Sequence, residues 1–279
     1  MSRIEKAMEK AALLREGFIS PPGERKQTYH NKESIHIPPV MGAEQIITSD
    51  NPYLVNLTDP HSSTAEEYRK LKSVLVKMTK GDGFFKNTIM VTSAVPNEGK
   101  TLTALNLAIS LAQEYDHTVL LVDADLRRPS VQRYLNLNQK RGFSDCLLDK
   151  TDIGETIIGT GIGKLSVIPA GRAVPNPVEL FTSQRMQDLI EEMKYRYNDR
   201  YLIFDTPPIL PFAETRSLAH LVDGVLFVVK ERLASQENIK EAIEALKGCE
   251  LLGMIYNDAM LDRHDERYSY YRKYAAKTS

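Results

Sequence analysis

Short apolar runs and longer amphipathic stretches alternate along most of this chain. Thr88–Thr92, Thr118–Val122, Leu165–Ile168, Tyr201–Phe204, Val225–Val229 and Leu251–Tyr256 are compact apolar runs bounded by turn residues, as expected of strands buried on both faces. Between them, Lys100–Glu114, a short piece near Ser130–Leu135, Arg185–Tyr197 and Ser235–Lys247 carry helical patterning. A further helix is predicted over Ser63–Thr79, where Ser63-x-x-Glu66 and Thr64-x-x-Glu67 both fit a capping box. Ahead of it, Ile4, Met8, Ala11 and Ala12 mark a short amphipathic helix over residues 3–16, and residues 17–60 are rich in proline and polar residues, as in a linker. The alternation predicts an α/β fold, doubly wound around a mainly parallel sheet with helices on both faces. Three regions follow: an N-terminal helix and arm (1–60), the α/β domain (61–260) and a polar tail (261–279). In such sheets ligands bind beyond the carboxyl ends of the strands.

Composition narrows the class. With 279 residues, 42 % of them hydrophobic, the chain can build one large core with an extension, or at most two small ones. A net charge of −1 gives no global attraction to nucleic acid or an anionic membrane, so no nucleic-acid partner is expected. The two cysteines, Cys146 and Cys249, form no Cys-x-x-Cys pattern, which suits a reduced cytoplasm. No apolar run approaches the roughly 18 residues that span a bilayer, and Met1–Lys6 lacks a signal-peptide core. A soluble protein is expected, reaching a membrane only through a partner.

Three motifs sit at strand ends. Ser93-Ala94-Val95-Pro96-Asn97-Glu98-Gly99-Lys100-Thr101 follows the first apolar run and opens a helix, as a phosphate loop does. In it Lys100 would reach the β- and γ-phosphates and Thr101 would bind Mg²⁺, while the backbone from Pro96 to Leu102 would line the nucleotide. Ala94 stands where the first glycine is expected. Asn97 is also non-glycine, although asparagine tolerates positive φ. Asp123 and Asp125, two apart at the next strand end, point the same way in an extended chain. Carboxylates beside phosphates call for a cation. The pair could instead cap the next helix or meet Arg127 and Arg128. Asp205 in Asp205-Thr206-Pro207-Pro208 adds a third carboxylate, with turn initiation as its alternative role.

Together these motifs resemble the deviant-Walker P-loop ATPases, and within them the bacterial protein-tyrosine autokinases of exopolysaccharide loci. Asp123, Asp125 and Arg127 match the family's Asp-x-Asp-x-Arg, and Asp205 with Pro208 matches its Asp-x-x-Pro. Pro169-Ala170-Gly171 and Pro175-Asn176-Pro177-Val178-Glu179-Leu180 are also typical; there Asn176 can cap and Pro177 open a helix. The resemblance spans roughly residues 61–274. It implies a P-loop NTPase fold and ATP with Mg²⁺ as cofactors. Lys100 and the loop amides would stabilise phosphoryl charge. Thr101, Asp123, Asp125 and Asp205 would organise the metal, with Asp123 favoured over Asp125 to accept the tyrosine proton. Arg127 would join the nucleotide site, and Asn257 lies where related ATPases recognise adenine, though it could equally be a turn residue. Glu66, Arg69 and Lys72 approximate a Glu-x-x-Arg-x-x-Arg pattern thought to join neighbours in a ring; a solvated helix face would look the same. An activating partner is implied as well: the cytosolic end of a membrane protein that determines polysaccharide chain length.

The tail holds Tyr268, Tyr270, Tyr271 and Tyr274 among charged residues, which marks them as phosphoacceptors of an autokinase. Phosphorylating all four would add roughly six to eight negative charges and loosen a ring built on tail docking. A C-terminal helix packing Tyr270 and Tyr274, one turn apart, is the alternative. Two other functions share the fold. A positioning ATPase would carry a lysine where Val95 stands, and would lack the tyrosine tail. A non-catalytic nucleotide-binding regulator would account for Asn97. A eukaryotic-type kinase is excluded, since no His-Arg-Asp or Asp-Phe-Gly occurs.

Overall fold

In a computed structural model of the protein, residue 47 and residues 49–81, 84–196 and 200–260 are described. The helix expected over residues 3–16, most of the following arm and the tyrosine tail lie outside these residues. The described chain begins with a short helix α1 (Val55–Thr58) and a long α2 (Ser63–Thr79), followed by a small hairpin of β1 (Lys80–Gly81) and β2 (Phe84–Phe85). Next come β3 (Thr88–Ser93), α3 (Lys100–Ala112), β4 (Thr118–Asp123), α4 (Val131–Tyr134) and α5 (Phe143–Leu148). An edge strand β5 (Ile158–Gly159) precedes β6 (Leu165–Ile168), α6 (Val178–Phe181) and α7 (Gln184–Arg196). The domain closes with β7 (Arg200–Asp205), α8 (Ala213–Ala219), β8 (Gly224–Lys230), α9 (Gln236–Ala245) and β9 (Leu251–Asn257).

Among the described residues the main sheet has seven strands in the order β5-β6-β4-β7-β3-β8-β9, all parallel except β5. Strands β3 and β7 are buried at every position, which is why they read as unbroken apolar runs rather than alternating ones. Two apolar cores flank the sheet. One contains Met90, Leu120, Phe204 and Phe143; the other contains Ile89, Leu121, Ile203 and Leu107 from α3. The chain leaves β3, passes over β7 through α3 and enters β4, so β7 lies between its two predecessors. That order sets the carboxyl ends of β4, β7 and β3 side by side.

Several local expectations shift in detail. The hydroxyl that caps α2 belongs to Ser62, which accepts from the Ala65 amide, and not to Ser63 or Thr64. Helix α6 follows Pro177 without a side-chain cap, so Asn176 does not perform the capping expected of it. Ser235 caps α9 as the start of that helix requires, in a reciprocal pair with Asn238. Within the stretch read as an arm, Leu54 is buried in the core and the Asn56 amide donates to the Asn106 carbonyl oxygen at 2.9 Å, tying α1 to α3.

Candidate active site

Each chemical group is delivered by a strand end. The last residues of β4 and β7 face each other in register, pairing Asp123 with Asp205, and the Ala124 amide donates to the Asp205 carbonyl at 2.8 Å. On the other side, β7 pairs with β3, and where that pairing ends Thr92 Oγ1 donates to the Pro207 carbonyl and Thr206 Oγ1 to the Val91 carbonyl, at 2.8 and 3.0 Å. These bonds fasten the Asp-x-x-Pro turn to the end of β3, just ahead of the phosphate loop.

The loop has the curvature of an anion cradle. Asn97 takes φ 68° and Gly99 φ 90°, so asparagine supplies the left-handed turn expected of it. Helix α3 starts at Lys100, and its first amides have no intrahelical partner, leaving those of Lys100, Thr101 and Leu102 for an anion. Pro96 contributes curvature but no donor. Glu98 is turned inward and fully buried: its Oε2 accepts the Val95 amide at 2.8 Å and its Oε1 the Lys230 amide at 3.3 Å.

Asp123 is buried and well used. Its Oδ2 accepts the Ser130 and Val131 amides, both at 3.0 Å, and its Oδ1 accepts the Asp125 amide at 3.2 Å. Asp125 in turn takes the Arg128 amide at 2.9 Å. Both capping and clustering therefore occur at once. Asp205 is different: it is buried, and neither carboxylate oxygen has a hydrogen-bond partner. Burial above all pushes the Asp205 carboxyl up to about 7, against the pull of Lys100 and the nearby Thr101 hydroxyl and with a further push from Asp125. Burial first, and then the facing charge of Asp205, holds Asp123 well above the ordinary carboxylate range. Thr101 Oγ1 lies 3.2 Å from Ser130 Oγ, so the helix start and the β4 turn meet at one point.

The fit to Mg²⁺ rests on this donor set. An unpartnered buried carboxylate, two more at the neighbouring strand end and a threonine hydroxyl are all hard oxygen donors. Among the described residues no group of three or more acidic, histidine or cysteine side chains is placed to hold a metal ion by itself, so Mg²⁺ here would need oxygens from water and substrate phosphates as well.

Other expected residues are turned to other partners. Arg127 pairs with buried Glu214, donates to the Pro175 carbonyl at 2.9 Å and lies over the Phe212 ring. Asn257 donates its Nδ2 to the Glu98 carbonyl at 2.8 Å, bracing the loop from β9. Lys72 reaches Glu114 beyond the end of α3 at 3.0 Å, whereas Glu66 and Arg69 pair on α2 at 2.6 Å. Glu214 and Ser130 were not anticipated. Ser130 stood within the predicted short helix, but nothing in the pattern pointed to Glu214.

A mainly parallel sheet, a loop–helix cradle after an inner strand and acidic residues at adjacent strand ends define the P-loop ATPase class. Comparison with known proteins agrees: residues 87–252 match an AAA domain. The tyrosine-protein kinase YwqD of Bacillus subtilis is 37 % identical over 220 residues, covering 78 % of this chain and 90 % of that kinase. The kinase domain of Escherichia coli tyrosine kinase ETK superposes with a TM-score of 0.67 at 29 % identity, over 75 % of this chain and 82 % of that domain. The chimerical protein CapA2B2 does so with a TM-score of 0.69 at 28 % identity, over 80 % and 95 %. The chain belongs to the bacterial protein-tyrosine kinase family. A plasmid partition protein and a septum-site-determining protein share its fold alone, at 20 % and 19 % identity.

Proposed function

We propose that this protein is an ATP- and Mg²⁺-dependent tyrosine autokinase that phosphorylates Tyr268, Tyr270, Tyr271 and Tyr274 on its own or a neighbour's tail. Asp205 carries the argument, since a fully buried carboxylate with two unpartnered oxygens beside Lys100 and Thr101 is costly unless a cation and a polyphosphate complete it. Mg²⁺, when bound, would neutralise charge on the β- and γ-phosphates. The loop amides and Lys100 hold the γ-phosphoryl group and stabilise its charge in the transition state. Thr101, Asp123, Asp125 and Asp205 would hold the metal, directly or through water. Asp123, with its affinity for protons raised by burial, takes the proton from the incoming tyrosine hydroxyl. Arg127 acts on the nucleotide only after release from Glu214; Asn257 can hold the loop with its amide nitrogen while its oxygen faces a base.

By its family relations, the kinase would work on polysaccharide synthesis or export, in a ring of copies, on the cytoplasmic face of the membrane. The cytosolic end of a membrane chain-length determinant would activate it. No described helix is long and apolar enough to cross a membrane, which is consistent with attachment through that partner.

The test is to incubate the protein with ATP and Mg²⁺, with and without the activator segment, and map phosphotyrosine by mass spectrometry beside Lys100→Met. Phosphate on Tyr268–Tyr274 that is absent from Lys100→Met is the expected result. ATP hydrolysis without phosphotyrosine, even with activator, would instead favour a positioning ATPase. No turnover at all would favour a nucleotide-binding regulator.

A further inference from the structure

Glu98 sits inside the phosphate loop, yet its carboxylate is turned into the protein. It is fully buried and spends its two oxygens on two backbone amides from different parts of the fold. One is Val95, three residues earlier in the same loop, so the side chain closes the turn Val95–Glu98 on itself. The other is Lys230, the last residue of β8. The backbone carbonyl of Glu98 is used as well, by Asn257 at the end of β9. Gly99, next in sequence, takes φ 90°, and a Cβ there would lie 2.1 Å from Asn257 Nδ2. The loop is thus gripped from three sides between two left-handed residues, Asn97 and Gly99.

This arrangement answers a problem posed by the sequence. With Ala94 and Asn97 in place of more permissive residues, the loop does not fall into a cradle for free. Outside the grip, its amides would sample orientations that do not converge on a phosphate. A carboxylate is the natural clamp, because it accepts two amide hydrogens at once and donates none. Burying an anion close to bound phosphates works against nucleotide affinity, so the residue makes sense only if the geometry it enforces outweighs that repulsion.

We propose that Glu98 is a positioning residue for nucleotide binding: it bridges the Val95 and Lys230 amides, holds the loop in its phosphate-ready curvature and touches no phosphate itself. The proposal deepens the ATP-dependent reading of this site and rests on it. It assigns Glu98 to affinity for the triphosphate rather than to the phosphoryl-transfer step. Glutamine keeps one acceptor oxygen but turns an NH₂ group towards the second amide, so it preserves half of the clamp; alanine removes all of it.

The test uses the full chain as wild type, Glu98→Gln and Glu98→Ala, with melting temperature as the check on folding. Affinity for fluorescent ADP and ATP analogues is measured directly, and KM and kcat for tail phosphorylation are measured separately. The expected result is about tenfold weaker binding for Glu98→Gln and a larger loss for Glu98→Ala, with KM rising in step and kcat within about threefold of wild type. Should Glu98→Ala fail to fold, Glu98→Gln carries the comparison alone. Unchanged nucleotide affinity in a folded variant would overturn the proposal, as would a collapse of kcat at unchanged KM. The binding arm is independent of phosphotransfer: a wild type that binds nucleotide but makes no phosphotyrosine sinks the kinase reading and leaves the clamp testable.

Discussion

Asp205 is held in the place least comfortable for it. Its two oxygens are buried without partners, and its carboxyl is raised from 3.8 to about 7, chiefly by burial. A raised acid binds its proton more tightly in the folded than in the unfolded chain, so stability falls as pH rises. The penalty is absent below about pH 4, where both states are protonated. It grows through the window up to about 7 and is complete above it. Asp123, raised in the same direction, adds to the slope. The nucleotide-free Asp205→Asn variant should therefore melt several degrees higher than wild type at pH 8, a gain of roughly 1–3 kcal/mol for replacing a buried charge with a neutral amide. At pH 4 the two should converge. Thermal melts across that range decide it, and an unchanged slope in the variant would show that Asp205 is not the strained group. The three carboxylates and Lys100 were legible in the sequence because strand-end motifs fix where they emerge. The inward turn of Glu98 was not, since it depends on where the ends of β8 and β9 come to rest.

Elements differ in how openly they are written. Strands buried on both faces and long amphipathic helices announce themselves, and β6 (Leu165–Ile168) begins and ends where its apolar run does. The hairpin Lys80–Phe85, the two-residue edge strand β5 and the short helices α1, α5 and α8 left no periodic signal. Elements that short are held by tertiary contacts, as Phe143 at the start of α5 shows by donating its amide to the Pro169 carbonyl at 2.8 Å. Strand β9 carries a second lesson. Its final residue, Asn257, is expected from the sequence either at a base or in a turn, and in the structure it ends the strand and donates to the phosphate loop. The two roles separate experimentally. If Asn257 works through the loop, Asn257→Ala should weaken ATP and GTP binding by the same factor, about three- to tenfold for a lost half-buried hydrogen bond. If it reads adenine, ATP alone should suffer. Paired titrations with the two nucleotides distinguish these outcomes.

At the scale of the whole molecule, strand order explains why residues far apart in sequence share one site. Inserting β7 between β4 and β3 sets Asp205 between the Asp123–Asp125 turn and the phosphate loop. Topology of that kind follows from strand count and helical crossovers, so it could be anticipated as a class, but not in its order. Assembly is a further step, and here α2 divides the residues expected at an interface. Lys72 is only 15 % exposed in its side chain and pairs with Glu114, so it ties α2 to the segment after α3 within one copy. Arg69 keeps 40 % of its side chain exposed and is held in a fixed orientation by Glu66 and the Pro60 carbonyl, ready to present its guanidinium outward. If copies join along this helix, Arg69→Ala should shift the sedimentation profile towards the monomer and leave the melting temperature of the monomer unchanged within about a degree. Lys72→Ala should do the converse: a loss of up to about 1 kcal/mol for a partly exposed ion pair, with assembly size retained. Assembly retained in Arg69→Ala would place the contact elsewhere on the surface, and assembly lost in Lys72→Ala would return Lys72 to the interface.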